Sequence, residues 1–386
     1  MSQPRAYLDH NATAPVRPAV AEAVARALTL PGNPSSVHAE GRAARAALEA
    51  ARGPVAALVG AQAQQVVFTS GGTEAANAVL SGALRRGSTS PTRLLYGASE
   101  HPCVAAGHRF AQAETLPVTA DGVIDLDALE ARLAALAGEA VLVSVHAANN
   151  ETGVVQPLPG IVALARAHGR ALVHSDAVQA VGKIPLDMAA LGLDALTLSG
   201  HKFAAPKGVG ALVLAPGVSL DAAFVRGGGQ EARLRCGTEC LPGIVGLGEA
   251  ARIAGETRDG EAARLADLRD RIEAGVLARA PDAVVFGAHA PRLPNTLGFA
   301  VPGLDAPAAL IALDLAGVAV SSGSACASGK VARSATLAAM GVSPALAAGA
   351  LRVSLGWNTV EGDALRFLDA FERIATSLYE RRGRAA

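Results

Sequence analysis

The chain has 386 residues, 51% of them hydrophobic and 18% charged, which is enough apolar material to fill a large core and is expected to form two domains. Lys plus Arg and Asp plus Glu each number 34, so no basic face for nucleic acid stands out, and the uncharged stretches, such as Gly208 to Leu220, are too short and too broken by Gly and Pro for a membrane span. The start MSQPRAYLDHN lacks the pattern of a secretory signal, and four scattered cysteines make no disulfide framework, so a reduced, cytoplasmic setting is expected.

Apolar runs alternate with alanine-rich helical stretches along the chain. VVFTS (66–70) reads as a strand and leads into a helix from about Thr73. Between them, Ser70-Gly71-Gly72-Thr73-Glu74 offers backbone N–H groups, a hydroxyl and a helix start to an anion, although an ordinary capped turn explains the same residues. RLLYGAS (93–99) is the next strand, with His101 just beyond it. AVLVSVHAAN (140–149) precedes a helix near Leu158–His168, and ALVHSD (171–176), ALTLS (195–199) and GALVLAP (210–216) follow. Strands separated by helices imply an α/β fold with a parallel or mixed sheet, whose functional residues gather beyond the strands' C-terminal ends. After about residue 255 the pattern changes to a charged helix, then the short strands PNTLGFAVPG and GVAVSSG, then a helix near VEGDALRFLDAFERIATSLYERR. This part reads as a smaller α+β unit.

The strand ends carry the chemistry. Asp176 closes an apolar strand, where a carboxylate needs a cation or a hydrogen-bonded partner; a helix cap is the alternative. Lys202 leaves another strand in Ser199-Gly200-His201-Lys202, where partial desolvation favours an amine that forms a Schiff base. His101 can stack on a flat ring and move protons. Cys326 lies in the small-residue run Ser321 to Gly329, which exposes a thiol as a nucleophile requires. Arg352, in a strand-like segment, is suited to gripping a carboxylate, and equally to a structural ion pair. The spacings of His101 with Cys103 and of Cys236 with Cys240 form no recognised zinc knuckle.

Together these segments resemble the cysteine desulfurases, in the class V aminotransferase branch of fold-type I pyridoxal-phosphate enzymes. The resemblance runs nearly end to end through YLDHNATAP, GNPSSVHAEGRAAR, TSGGTEAAN, SEHPCV, NNETGVVQP, HSDAVQAVGK, SGHKFAAPKGVGAL, GGGQEARLRCGTE, SSGSACASGK and LRVSLGW. SGHK alone marks a broad superfamily; SGHK together with SSGSAC is far more specific. The resemblance implies a large domain over 15–255 with a mainly parallel seven-stranded sheet covered by helices. It also implies a small domain, from 1–14 and 256–386, that carries the cysteine loop.

The resemblance further implies pyridoxal 5'-phosphate as cofactor, held by Lys202. Asp176 would pair with the pyridine nitrogen, and Gln179 and Asn150 would hold the phenolic-oxygen side. Gly72, Thr73, Ser199 and His201 would bind the phosphate, and Thr238 would reach the phosphate of a neighbouring subunit in a homodimer with shared sites. His101 would stack on the ring, Arg352 and Asn150 would hold the carboxylate of L-cysteine, and Cys326 would become the persulfide. Alanine would leave, and the sulfur would pass to an iron–sulfur scaffold or another acceptor protein. No resident metal is implied, and Cys326 would meet an iron–sulfur cluster only on a partner. Cys236, Cys240, Ala327 and the run Lys330 to Arg333 depart from the usual family residues, which leaves the acceptor open. Loop length suggests the housekeeping or nitrogen-fixation branch. A selenocysteine lyase and an inactive fold relative serving sulfur assembly stay open as alternatives, whereas a simple aminotransferase has no use for Cys326.

Overall fold

The computed structural model describes residues 5–322 and 334–385. Seven strands form the larger sheet: β1 (Val66–Thr69), β2 (Arg93–Gly97), β3 (Gln112–Leu116), β4 (Val141–Ser144), β5 (Ala171–Asp176), β6 (Ala195–Ser199) and β7 (Gly210–Leu214). Their order is β1-β7-β6-β5-β4-β2-β3. The strands from β6 across to β3 run parallel, and β7 lies antiparallel to both of its neighbours. Every residue of β1, β4, β5, β6 and β7 is buried. That is why their sequences are continuous apolar runs and not alternating ones: helices cover both faces.

Helices α1 (Pro18–Leu28), α2 (Ala39–Leu58), α3 (Gly72–Val79) and α4 (Leu158–His168) accompany this sheet. The 39-residue α5 (Leu241–Arg279) belongs to two cores: Leu241 to Ala254 pack with the large sheet, and Leu265 to Val276 pack in a second core around Phe299, Phe367 and Phe371. The compositional change near residue 255 thus falls inside one continuous helix.

The second core covers a four-stranded antiparallel sheet of β8 (Val284–Val285), β9 (Thr296–Ala300), β10 (Ser321–Ser322) and β11 (Ala350–Ser354), in the order β8-β9-β11-β10. The closing helix, α6 (Glu361–Ala385), packs against it. The start of the chain joins this part of the molecule: Ala6–Tyr7 pairs in parallel with Val318–Ala319, and Asp9 bridges Ser354. The small sheet approaches the turn at Glu151, beyond β4 of the large sheet, closely at Gly298, where a Cβ would come 2.8 Å from the Glu151 carbonyl oxygen. Among the described residues, no helix is long and apolar enough to cross a membrane.

Candidate active site

The C-terminal ends of the parallel strands open into a cavity of about 360 Å³. Its lining includes Asp176 from the end of β5, Lys202 just past β6, His101 beyond β2, Thr73 from the first turn of α3, and Arg352 from β11. Gly72, Asn150, Gln179, Ser199 and His201 line it as well. The structure therefore brings ten of the residues singled out in the sequence to one chamber. Two stand apart. Thr238 is exposed and is not part of this lining, and Cys326 lies outside the described residues.

Lys202 Nζ donates to two main-chain carbonyls, Asn11 O at 2.7 Å and Ala12 O at 2.9 Å. Asp176 Oδ1 accepts from the Val178 amide at 2.9 Å, and its Oδ2 accepts from the Cys103 thiol at 3.5 Å. Burial and the Asp176 carboxylate push the Cys103 thiol far up, so it stays an S–H donor. His101 lines the cavity and caps a short helix by accepting the Cys103 amide on Nδ1 at 3.1 Å. Burial lowers its pKa although the Asp176 carboxylate opposes that, so His101 is neutral near pH 7. His201 is lowered to about 4 by burial and by Lys202 and Lys207, and its Nδ1 lies 3.2 Å from the Thr13 hydroxyl.

Helix α3 starts at Gly72 with no side-chain cap among the described residues, which leaves its first N–H groups to a ligand. Thr73, Ser199 and His201 line the same cavity. Arg352 donates from Nη2 to Asp9 Oδ1 at 2.7 Å and from Nη1 to the Asn150 carbonyl at 3.0 Å. Its buried Nε has no partner among the described residues.

Residues that the sequence reading did not single out complete the wall. Asn11, Cys103 and His146 line the cavity, and Lys183 stands directly behind it. His146 Nδ1 lies 2.8 Å from Glu100 Oε1; burial opposes its protonation, but the Glu100 carboxylate outweighs burial and raises its pKa. Lys183 is held well below the usual lysine range by burial and by the charges of Lys202 and Arg352. No group of three or more His, Cys, Asp or Glu that could hold a metal occurs among the described residues.

The donor set suits a phosphorylated pyridine aldehyde. There is an amine for the aldehyde, a carboxylate at strand depth for a ring N–H, a neutral imidazole for the ring face, and an uncapped helix start with hydroxyls for a phosphate.

Comparison with known proteins agrees with this arrangement. The family described as Aminotransferase class-V matches residues 6–367. A cysteine desulfurase of Cereibacter sphaeroides is 44% identical over 384 residues, covering 97% of this chain and 96% of that protein. An IscS-like cysteine desulfurase of Mycobacterium tuberculosis is 41% identical, covering 99% of this chain and 98% of that one. The solved structure of a NifS-like protein from Rickettsia africae is similar with a TM-score of 0.85 at 32% identity, covering 96% of this chain and 99% of that one. The chain belongs to the class-V aminotransferase family, among relatives that are cysteine desulfurases.

Proposed function

We propose that the chain is a cysteine desulfurase that uses pyridoxal 5'-phosphate to release sulfur from L-cysteine as a persulfide on Cys326, leaving L-alanine. The observation that carries this reading is the meeting of Asp176, His101, Lys202 and Arg352 around one cavity, beside the uncapped start of α3. When bound, pyridoxal phosphate supplies an electron sink for the pair released at the substrate Cα.

The chain's own residues do the rest. Lys202 Nζ would hold the cofactor's aldehyde carbon and is the group placed to take the substrate's Cα proton and return it. Asp176 would hold a proton on the ring nitrogen by pairing with it. Gln179 and Asn150 would take the phenolic-oxygen side, and His101 the ring face. Gly72, Thr73, Ser199 and His201 would hold the phosphate, with Thr238 reaching that of a second subunit. Arg352 and Asn150 orient the substrate carboxylate. The Cys326 thiolate attacks the substrate sulfur: an S–S bond forms, the C–S bond breaks, and its electron pair returns to carbon, which is protonated to give alanine. A homodimer in the cytoplasm that hands sulfur to an acceptor protein fits this chemistry.

The test is a single turnover with L-cysteine, measuring alanine and mapping persulfide by mass spectrometry. One sulfur on Cys326 per alanine is expected. Alanine without any persulfide, or the same mass gain on Cys103 or Cys236, refutes the assignment.

A further inference from the structure

We infer that Lys183 is a positioning residue for this reaction: it fixes which end of the Gln179 amide faces the cavity and steadies the Asn11 segment on which Lys202 rests. The inference rests on the cofactor reading proposed above. A lysine ammonium is a donor only, whereas a primary amide can present either its oxygen or its NH₂. Lys183 Nζ lies 2.8 Å from Gln179 Oε1 and 2.8 Å from Asn11 Oδ1. Both amide oxygens are therefore turned toward Lys183, and both NH₂ groups are turned away from it.

The released donors are used. Gln179 Nε2 donates to the Asn11 carbonyl at 3.0 Å, on the cavity wall. Asn11 Nδ2 donates to the Asn150 carbonyl at 3.2 Å and to Thr296 Oγ1 at 2.9 Å. The same Asn11 carbonyl accepts Lys202 Nζ. Asn295 Nδ2 also donates to Asn11 Oδ1 at 3.1 Å, so Lys183 shares the setting of Asn11, whereas among the described residues it is the donor that turns the Gln179 oxygen away from the cavity.

The placement is costly on structural grounds alone. Lys183 is half-buried, its hydrogen-bond acceptors are neutral amides, and its charged neighbours Lys202 and Arg352 repel its proton. The His10 ring beside it is neutral, lowered to about 3 by burial and by Lys183 itself. A methionine would fill similar space without that cost, so packing does not explain a lysine here.

The test reads the visible absorbance of the holoenzyme against pH in the wild type, Lys183→Met, Gln179→Ala and the double variant. A donor on the phenolic oxygen stabilises the deprotonated chromophore, so losing its orientation raises the midpoint. Lys183→Met is expected to move the midpoint up by about half a pH unit or more, a roughly threefold change in proton affinity. The double variant is expected to match Gln179→Ala within about 0.2 pH units, because the two substitutions remove one contact. An unmoved midpoint in a cofactor-loaded Lys183→Met, or shifts that add in the double variant, overturns the inference. A wild type with no visible absorbance sinks the cofactor reading and this inference with it, and is recognised before any substitution is made. If Lys183→Met does not fold, Gln179→Glu probes the contact from the other side. A carboxylate held by Lys183 keeps the melting temperature within about 2 °C of wild type, whereas a fall of about 5 °C or more shows no cation there and overturns the inference.

Discussion

Glu231 ties down the outer edge strand of the large sheet, which leads into the Ser70–Thr73 loop, and Glu231→Ala measures how much that tie contributes. Its carboxylate and the Arg52 guanidinium form a two-pronged pair at 2.7 and 2.9 Å, with side chains only 2% and 9% exposed. β1 is an edge strand, and this pair closes its open side: Phe68 N–H donates to Glu231 Oε2 at 2.7 Å, and Arg52 Nη1 donates to the Val66 carbonyl at 2.9 Å. Removing one member of a buried pair costs about 3–5 kcal/mol. The Phe68 N–H, left without that acceptor, adds about 1 kcal/mol.

Two effects work the other way. Arg52 keeps Glu49, whose Oε2 lies 2.9 Å from its Nε. The turn at Glu231, Ala232 and Arg233, where all three residues hold positive φ of 44°, 55° and 63°, would relax when its anchor goes, returning about 1 kcal/mol. The net loss is about 4 kcal/mol, or a melting temperature lower by about 10 °C in a domain of this size. Glu231→Gln keeps the acceptor for Phe68 but not the charge, and should lose about half as much. Circular dichroism melts read the stability, and absorbance after gel filtration reads cofactor retention, which should fall in parallel because β1 delivers Ser70 to Thr73. A drop in melting temperature of less than about 3 °C for Glu231→Ala would refute the claim that this pair pins the edge strand.

Two further outcomes follow from the site. Arg352→Lys gives up the fork that spans Asp9 and the Asn150 carbonyl. It should raise KM for L-cysteine about 10- to 100-fold with a smaller effect on kcat, and an unchanged KM in steady-state kinetics would remove Arg352 from carboxylate binding. The second outcome concerns acid. His10 and His174 are buried and neutral, lowered by burial from 6.5 to about 3 and about 4, while His146 is raised and so is protonated in both states below 6.5. Above the ordinary value neither His10 nor His174 carries the extra proton in either state. Below it the unfolded chain binds protons that the folded chain refuses at His10, His174 and His201, with His101 lowered in the same sense, while Glu151, raised to about 6 by burial, takes one up in the folded state. The net of about two protons lowers stability by about 2.7 kcal/mol per pH unit between about pH 6 and 4.5. Urea melts between pH 6.5 and 4.5 that show no such loss would contradict this.

How much of the fold the sequence displays follows from burial. β4, β5, β6 and β7 are buried on both faces, so each is a plain apolar run, legible without a partner. β3 is not. QAETL lies at the far edge of the sheet with only Leu116 buried, so it carries no pattern that a strand reading could use. The first half of α5 also escapes a sequence reading, because LPGIVGLGEAARIAG is rich in glycine, a poor helix former. The structure gives the reason: a Cβ at Gly248 would come 2.6 Å from Ala51 Cα, and one at Gly246 would come 2.7 Å from a Val24 methyl. Glycine there trades intrinsic helicity for the close approach of α1 and α2.

The site divides along the same line. Asp176, Lys202 and His101 are legible because each is a polar residue just where an apolar run stops. Asn11 and Lys183 are not, because what matters in them is a carbonyl oxygen and a contact between residues 172 positions apart. That contact also says something about how the site is held together. Arg352, the proposed grip on the substrate carboxylate, grows from the small sheet, while Asp176 and Lys202 grow from the large one. Asn11 touches both sides: its amide N–H donates to Ser354 on the small sheet, and its carbonyl holds Lys202 from the large one. A shift between the two cores would therefore move the carboxylate grip relative to the catalytic amine while leaving each core intact. The geometry that chemistry needs is set at this seam, through residues 9–13 and the Asn150 turn, more than within either core.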